Sequence, residues 1–186
     1  MLGGLHKRRA MVAQSGEELA AALEKMTEDY RCAYRRKVET QQSDPWYPLI
    51  NAVAAQLALE WGRRSGGSDE SAPERNTMLD DLAELQRLGT TLREDATGFW
   101  ELSFLADLEL VMVLSAGTLT GRDTLLGLAK NYNRARRLGA SAREFDSVVS
   151  QIRFLNVMAD RSTDETVRGV AQRLNELVMV LQQQGD

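Results

Sequence analysis

The residues from 43 to 62 constrain the fold most, because their apolar side chains repeat with the period of a helix. Asp44 is of a type that caps helices, and Pro45 suits a first turn, where its missing N–H is not needed. Tyr47 and Asn51 are four residues apart and therefore share a second face. The stretch predicts a helix that packs along one face and presents a hydroxyl and an amide on another. The apolar face comprises Ile50, Val53, Ala54, Leu57 and Trp61.

The same apolar periodicity recurs along the chain without strand-like alternation, and it predicts an all-α protein of eight helices. The first helix is expected at about residues 2–14, the second at about 17–39 and the fifth at about 97–116. Short connections favour antiparallel neighbours, so the helices pair into about four hairpins. The hairpins begin near residues 1, 45, 97 and 141, and this loose regularity predicts a helical-hairpin solenoid.

Several residues mark the expected helix ends. Ser141 and Glu144 have the S-x-x-E spacing of a capping box, and Ser162 and Glu165 repeat it before the eighth helix. Gly139 is placed to end the sixth helix. The remaining candidate N-caps are Asp44 and Thr120.

Residues 64–72 form the only low-complexity stretch and predict a flexible surface loop inside a single domain that spans residues 1–186. The beginning of the chain is unusual, since Leu2, Leu5 and Val12 follow a helical rhythm with no capping residue before them. A fragment of a longer repeat array and a frayed natural N-terminus both explain this beginning.

Composition excludes several classes of protein. Hydrophobic residues make up 43% and charged residues 27% of the 186 residues, which is typical of a folded globular chain. The net charge of −4 argues against DNA as a partner. No apolar run approaches the roughly 20 residues of a membrane span, and the N-terminus lacks the apolar segment of a signal peptide. We therefore expect a cytoplasmic protein without a membrane partner.

The residues that catalysis usually needs are scarce. His6 is the only histidine, so no histidine pair can hold a metal. Cys32 is the only cysteine, which excludes an internal disulfide, and it is expected to be a packing thiol, with a redox sensor as the alternative. Neither glycine pair, at residues 3–4 and 66–67, has the spacing or the lysine of a phosphate-binding loop. We expect a non-enzymatic protein without a cofactor.

Four short segments occur in an order that resembles a known domain. They are Leu5–Ala10, Trp46–Asn51, Gly98–Glu101 and Arg143–Leu155. Together they resemble the divergent tetratricopeptide-like domain of bacterial signalling and conflict-system proteins, which is similar to the TRAFs-binding region of apoptosis-signal-regulating kinases. The resemblance implies a tetratricopeptide-like solenoid. It also implies a role in organising protein partners, or in sensing a nucleotide-derived signal beside an effector domain.

In a hairpin solenoid the first helices of successive hairpins line the concave surface. Trp100, Ser103 and Asp107 share one helical face, and Ser147 and Gln151 share another. Basic groups there would meet phosphate, an aromatic ring would stack on a base, and amide or carboxylate groups would read polar edges. The candidate ligand-binding residues are Lys7, Arg8, Tyr47, Asn51, Trp100, Asp107 and Gln151.

Each candidate also has a structural interpretation. Lys7 and Arg8 then belong to a solvated helix face, Trp100 to the core, and Tyr47 to a contact between hairpins. A second basic cluster, Arg134 with residues 136–137, is expected only to complement a helix dipole. The sequence therefore predicts first a protein-interaction scaffold in bacterial signalling or defence. The alternative is a sensor that binds a nucleotide-derived ligand in the groove and regulates an attached effector.

Overall fold

The computed structural model describes residues 3–66, 72–119 and 121–183, and within these ranges all regular structure is α-helical. The prediction of an all-α chain of eight helices is therefore confirmed for this part of the chain. None of its helices is both long and apolar enough to cross a membrane. The helices are α1 (Gly3–Val12), α2 (Gly16–Glu39), α3 (Trp46–Gly66), α4 (Ala72–Asp95), α5 (Phe99–Ser115), α6 (Arg122–Arg136), α7 (Ala142–Asp160) and α8 (Glu165–Gln183).

Helix α3 is the centre of the fold, and it contacts α2, α4, α5 and α7. Every residue from 48 to 61 is buried, so the helix is enclosed on all sides rather than along the single predicted face. Ala52, Ala55 and Ala58 lie on its remaining faces, and such short side chains let neighbouring helices approach closely. The polar residues Asn51, Gln56 and Glu60 of this helix are therefore held inside the protein.

Most helices that follow one another pack together, most extensively α2 with α3, α7 with α8, and α1 with α2. Contacts distant in sequence join α3 to α5, α3 to α7 and α1 to α7. The end of α1 is also fixed by Arg161, which follows α7. Its guanidinium donates to the carbonyl oxygens of Ala10 at 3.0 Å, Met11 at 2.8 Å and Ala13 at 3.3 Å. Thus α1, α3, α5 and α7 are gathered around one region.

Two predicted helix ends are confirmed. The Ser141 hydroxyl accepts a hydrogen bond from the Glu144 N–H at 3.2 Å, and the Glu144 carboxylate accepts one from the Ser141 N–H at 2.9 Å. This is the expected capping box of α7. Gly139 has a φ of +93°, a conformation that glycine adopts without steric cost just after a helix.

Two other predicted caps are wrong. Asp44 has a φ of +58°, whereas an N-cap residue needs an extended backbone. At α8 the cap is Asp164, whose carboxylate accepts from the Thr166 N–H at 2.8 Å, because the helix begins one residue after it. The hydroxyl of Ser162 donates to the Trp61 carbonyl oxygen at 3.3 Å and accepts from the Asp164 N–H at 3.2 Å, just before the helix begins. Thr120 lies outside the described residues, and Gly121 is the N-cap of α6.

The predicted loop at residues 64–72 is partly helical. Helix α3 continues to Gly66 and α4 begins at Ala72, while residues 67–71 lie outside the described part. Cys32 is exposed on α2, so the prediction of a packing thiol is wrong. Its position in the helical pattern places it beside the inner face of α2 rather than on it.

Candidate functional site

A cavity of about 170 Å³ lies where α1, α3, α5 and α7 meet, with one residue of α2 in its wall. Each helix contributes residues spaced three or four apart, which is the spacing of a single helical face. The lining residues are Gly4, Lys7, Tyr30, Trp46, Tyr47, Ile50, Asn51, Trp100, Ser103, Phe104, Asp107, Ser147, Val148 and Gln151.

Six of the seven predicted ligand-binding residues line this cavity. Arg8 does not, and it is exposed on the neighbouring side of α1. Trp100 is 41% exposed and Tyr47 is 37% exposed, so neither belongs to the core. The two aromatic side chains therefore stand at the mouth of the cavity, while the residues between them line its interior. The six are Lys7, Tyr47, Asn51, Trp100, Asp107 and Gln151.

Aromatic rings form much of the inner wall. Trp46 of α3 stacks on Phe104 of α5 with 4.6 Å between the ring centroids and 23° between the planes. At the mouth, Trp100 packs edge-on against Phe99 at 4.9 Å. Tyr30 reaches in from α2, and burial raises the pKa of its hydroxyl to about 12. The cavity thus offers flat apolar surfaces against which a ring could stack.

Lys7 brings a positive charge to the α1 wall. Its Nζ donates a hydrogen bond to Gln151 Oε1 of α7 and lies 5.1 Å from the centroid of the Phe154 ring. Burial lowers the pKa of Lys7 to about 8, and the negative charge of Asp107 partly opposes this shift. The lysine is therefore held in place by α7, and its charge is only weakly hydrated.

Asp107 brings the opposite charge to the α5 wall. The Tyr132 hydroxyl of α6 donates to its Oδ1 at 2.7 Å. Burial raises the pKa of Asp107 to about 7, although the hydrogen bond from Tyr132 and the charge of Lys7 both act in the other direction. Burial also raises the pKa of Tyr47, with Asp107 as a second cause. A carboxyl that titrates near neutral pH is typical of functional sites.

Two more polar groups complete the interior. The Ser103 side chain is 2% exposed, and its hydroxyl has no hydrogen-bond partner among the described residues. Asn51 is 5% exposed, and its Nδ2 donates to the Tyr47 carbonyl oxygen at 2.8 Å. A buried hydroxyl without a partner costs free energy, so Ser103 is a group that a bound ligand could satisfy.

The sequence missed several lining residues for a clear reason. Trp46, Ile50, Phe104 and Val148 lie on apolar helical stripes, which periodicity assigns to the core. Tyr132 also carries no local signal, because its link to Asp107 joins residues that are 25 apart in sequence. The α5 wall was located in advance by the spacing of Trp100, Ser103 and Asp107.

The second basic cluster has a packing role at Arg136. Its guanidinium lies 4.4 Å from the centroid of the Phe145 ring and donates to the Leu181 carbonyl oxygen at 3.4 Å. Arg136 therefore holds the C-terminal end of α8 against α6.

Comparisons of the chain with protein-family models, curated proteins and solved structures find no match.

Proposed function

We propose that the chain is a tetratricopeptide-like solenoid of four helical hairpins, whose first helices enclose a ligand site. The proposal is supported by the cavity, to which α1, α3, α5 and α7 each contribute. It is also supported by the resemblance to the divergent tetratricopeptide-like domain of bacterial signalling and conflict-system proteins. In this arrangement the contact between α1 and α7 narrows the groove beside the cavity.

We propose further that the protein is a non-enzymatic cytoplasmic sensor in bacterial signalling or defence. Its pocket binds a nucleotide-derived small ligand and thereby regulates an attached effector domain. The observation that carries this proposal is that Lys7 and Asp107 line the same aromatic-walled cavity, where the charge of each shifts the pKa of the other. Keeping two charged side chains partly out of water costs folding free energy. Such charges with shifted pKa values cluster at functional sites, where a bound ligand interacts with them.

A protein-interaction scaffold is the second proposal, and the exposure of Tyr47 and Trp100 favours it. Both side chains are more than one third exposed at the mouth of the cavity. Aromatic residues of this kind anchor many protein interfaces, because they bury a large area with few rotatable bonds. A partner chain would then insert a side chain between them.

Calorimetric titration of the chain with a panel of nucleosides and nucleotides tests the sensor proposal. We expect binding by at least one member of the panel, with a change in the fluorescence of Trp100, which lies at the cavity mouth. Lys7→Met should weaken that binding by about tenfold or more, since it removes a charge-assisted hydrogen-bond donor. Lys130→Met, at an exposed position of α6, is the matched control and should bind normally.

A panel without any binder, together with unchanged fluorescence, would contradict the sensor proposal and leave the scaffold. A scaffold would instead bind a protein partner, and Trp100→Ala should weaken that binding while leaving the melting temperature nearly unchanged. Exposed side chains contribute little to folding, so the two effects are separable.

A further inference from the structure

We propose that the cavity holds the uncharged ring of its ligand, a nucleobase with or without its ribose, and leaves any phosphate outside, at the mouth. Ser103 and Asp107 are the residues that select the ring. This inference rests on the proposed nucleotide-derived ligand and adds which end of that ligand enters the protein.

The size of the cavity is the first argument. Its volume of about 170 Å³ is well below the roughly 300–1,000 Å³ that is typical of pockets for whole drug-sized ligands. The space therefore suits one ring with its polar substituents, and a complete nucleotide has to extend beyond it. Trp46 and Phe104, whose rings stack on each other, are both part of the lining and give it an apolar side that suits such a ring.

The charges of the interior are the second argument. Lys7 is the only cation among the lining residues, and only one of its three N–H donors is used, for Gln151, so it can still donate to a polar atom of an uncharged ring. Asp107 lies in the same cavity, and a phosphate there would bring like charges together where water screens them poorly. A phosphate outside meets none of this repulsion. Arg8 follows Lys7 on α1 and is exposed, so a phosphate outside the cavity has a cation on the same turn of helix.

The polar edge on α5 is the third argument. Ser103 and Asp107 are one helical turn apart and both line the cavity. The Ser103 hydroxyl has no partner among the described residues, and it can both donate and accept. Asp107 uses Oδ1 for Tyr132. The two side chains together match the donors and acceptors that a nucleobase presents along one edge.

The experiment compares each nucleoside with its own 5′-monophosphate. Adenosine, guanosine, cytidine, uridine and their monophosphates are titrated into the full chain at a pH between the pKa of Asp107, about 7, and that of Lys7, about 8. We expect one nucleoside to bind and its monophosphate to bind within about threefold of it, since a solvent-exposed phosphate contact contributes little. Arg8→Glu should weaken the binding of the monophosphate and leave that of the nucleoside unchanged.

Variants of the α5 edge test the selection. Ser103→Ala should weaken the binding of the nucleoside by about tenfold, because the variant loses a hydrogen bond to the ligand but loses none within the protein. Ser150→Ala, exposed on α7, is the matched control and should not change the affinity. Asp107→Asn, tested in parallel, should change which base binds best, since an amide presents both a donor and an acceptor.

The outcomes separate this inference from the proposed function. A monophosphate that binds at least about tenfold more tightly than its nucleoside would overturn the inference, because a charge-assisted contact of that strength requires the phosphate inside. The sensor proposal would survive that result. If neither the nucleosides nor the monophosphates bind, both the ligand class and the inference are wrong.

Discussion

Replacing Asp107 by asparagine should change how the stability of the protein depends on pH. The pKa of this carboxyl is raised from 3.8 to about 7 in the folded chain, mainly by burial. Below the lower value both the folded and unfolded states hold the proton. Between the two values the folded state holds more protons than the unfolded state, so the free energy of unfolding falls as the pH rises. Above about 7 the loss is complete.

The size of the effect follows from the same two pKa values. The pKa of about 7 in the folded chain, compared with 3.8, corresponds to a loss of about 4 kcal/mol in the free energy of unfolding over the whole interval, at about 1.4 kcal/mol for each pH unit. Lys7 adds little slope between pH 3.8 and 7, because its pKa is lowered from 10.5 to about 8 and its contribution changes mainly between those two values. Asparagine keeps an oxygen that accepts the Tyr132 hydrogen bond but does not titrate.

Urea denaturation from about pH 5 to about pH 8 measures the effect. The free energy of unfolding of Asp107→Asn, relative to that of the unchanged protein, should increase by roughly 2–3 kcal/mol across this range. Asp146→Asn, exposed on α7, is the control and should show no such trend. A difference that stays constant with pH, or that decreases as pH rises, would refute the assignment of Asp107 as a desolvated carboxyl.

Three other substitutions test how the site is supported. Gly3→Ala should lower the free energy of unfolding by about 1–3 kcal/mol, since the added Cβ would lie 2.7 Å from the Tyr30 ring. Gly4→Ala is the control, because its Cβ meets nothing within 4 Å, and thermal melting compares the two variants. Ser141→Ala should cost about 1 kcal/mol in urea denaturation through loss of the capping box, and Ser150→Ala should cost little. Arg161→Met should speed amide hydrogen exchange in α1 but not in α8, because it removes three hydrogen bonds to carbonyl oxygens near the end of α1. An equal increase of the exchange rate in both helices would contradict this.

Local signals in the sequence predicted the helices well. Apolar stripes and the pairing of Ser141 with Glu144 depend only on residues within a few positions, and both are confirmed. The error at α8 shows where such signals stop. Ser162 and Asp164 are both good capping residues, but the helix begins directly after Asp164, and Ser162 lies two residues further back, where its hydroxyl donates to the distant Trp61 carbonyl oxygen. No local pattern contains that contact.

Tertiary packing accounts for the other differences. The sequence predicts one buried face for α3, but four neighbouring helices bury its whole surface between residues 48 and 61. The positions of Trp100 and Asp107 on one face were predictable from spacing. The bonds of Lys7 to Gln151 and of Tyr132 to Asp107 were not, because they depend on how α1, α5, α6 and α7 meet.

The three tryptophans provide the most direct test of the proposal that this cavity binds the ligand. Trp46 and Trp100 line the cavity, whereas Trp61 lies elsewhere on α3 and is 4% exposed. The measurement is the NMR spectrum of the indole N–H groups during titration with the nucleoside that binds best. Our account predicts that the signals of Trp46 and Trp100 shift while that of Trp61 stays in place. A saturating ligand that shifts Trp61 alone, or none of the three, would contradict it.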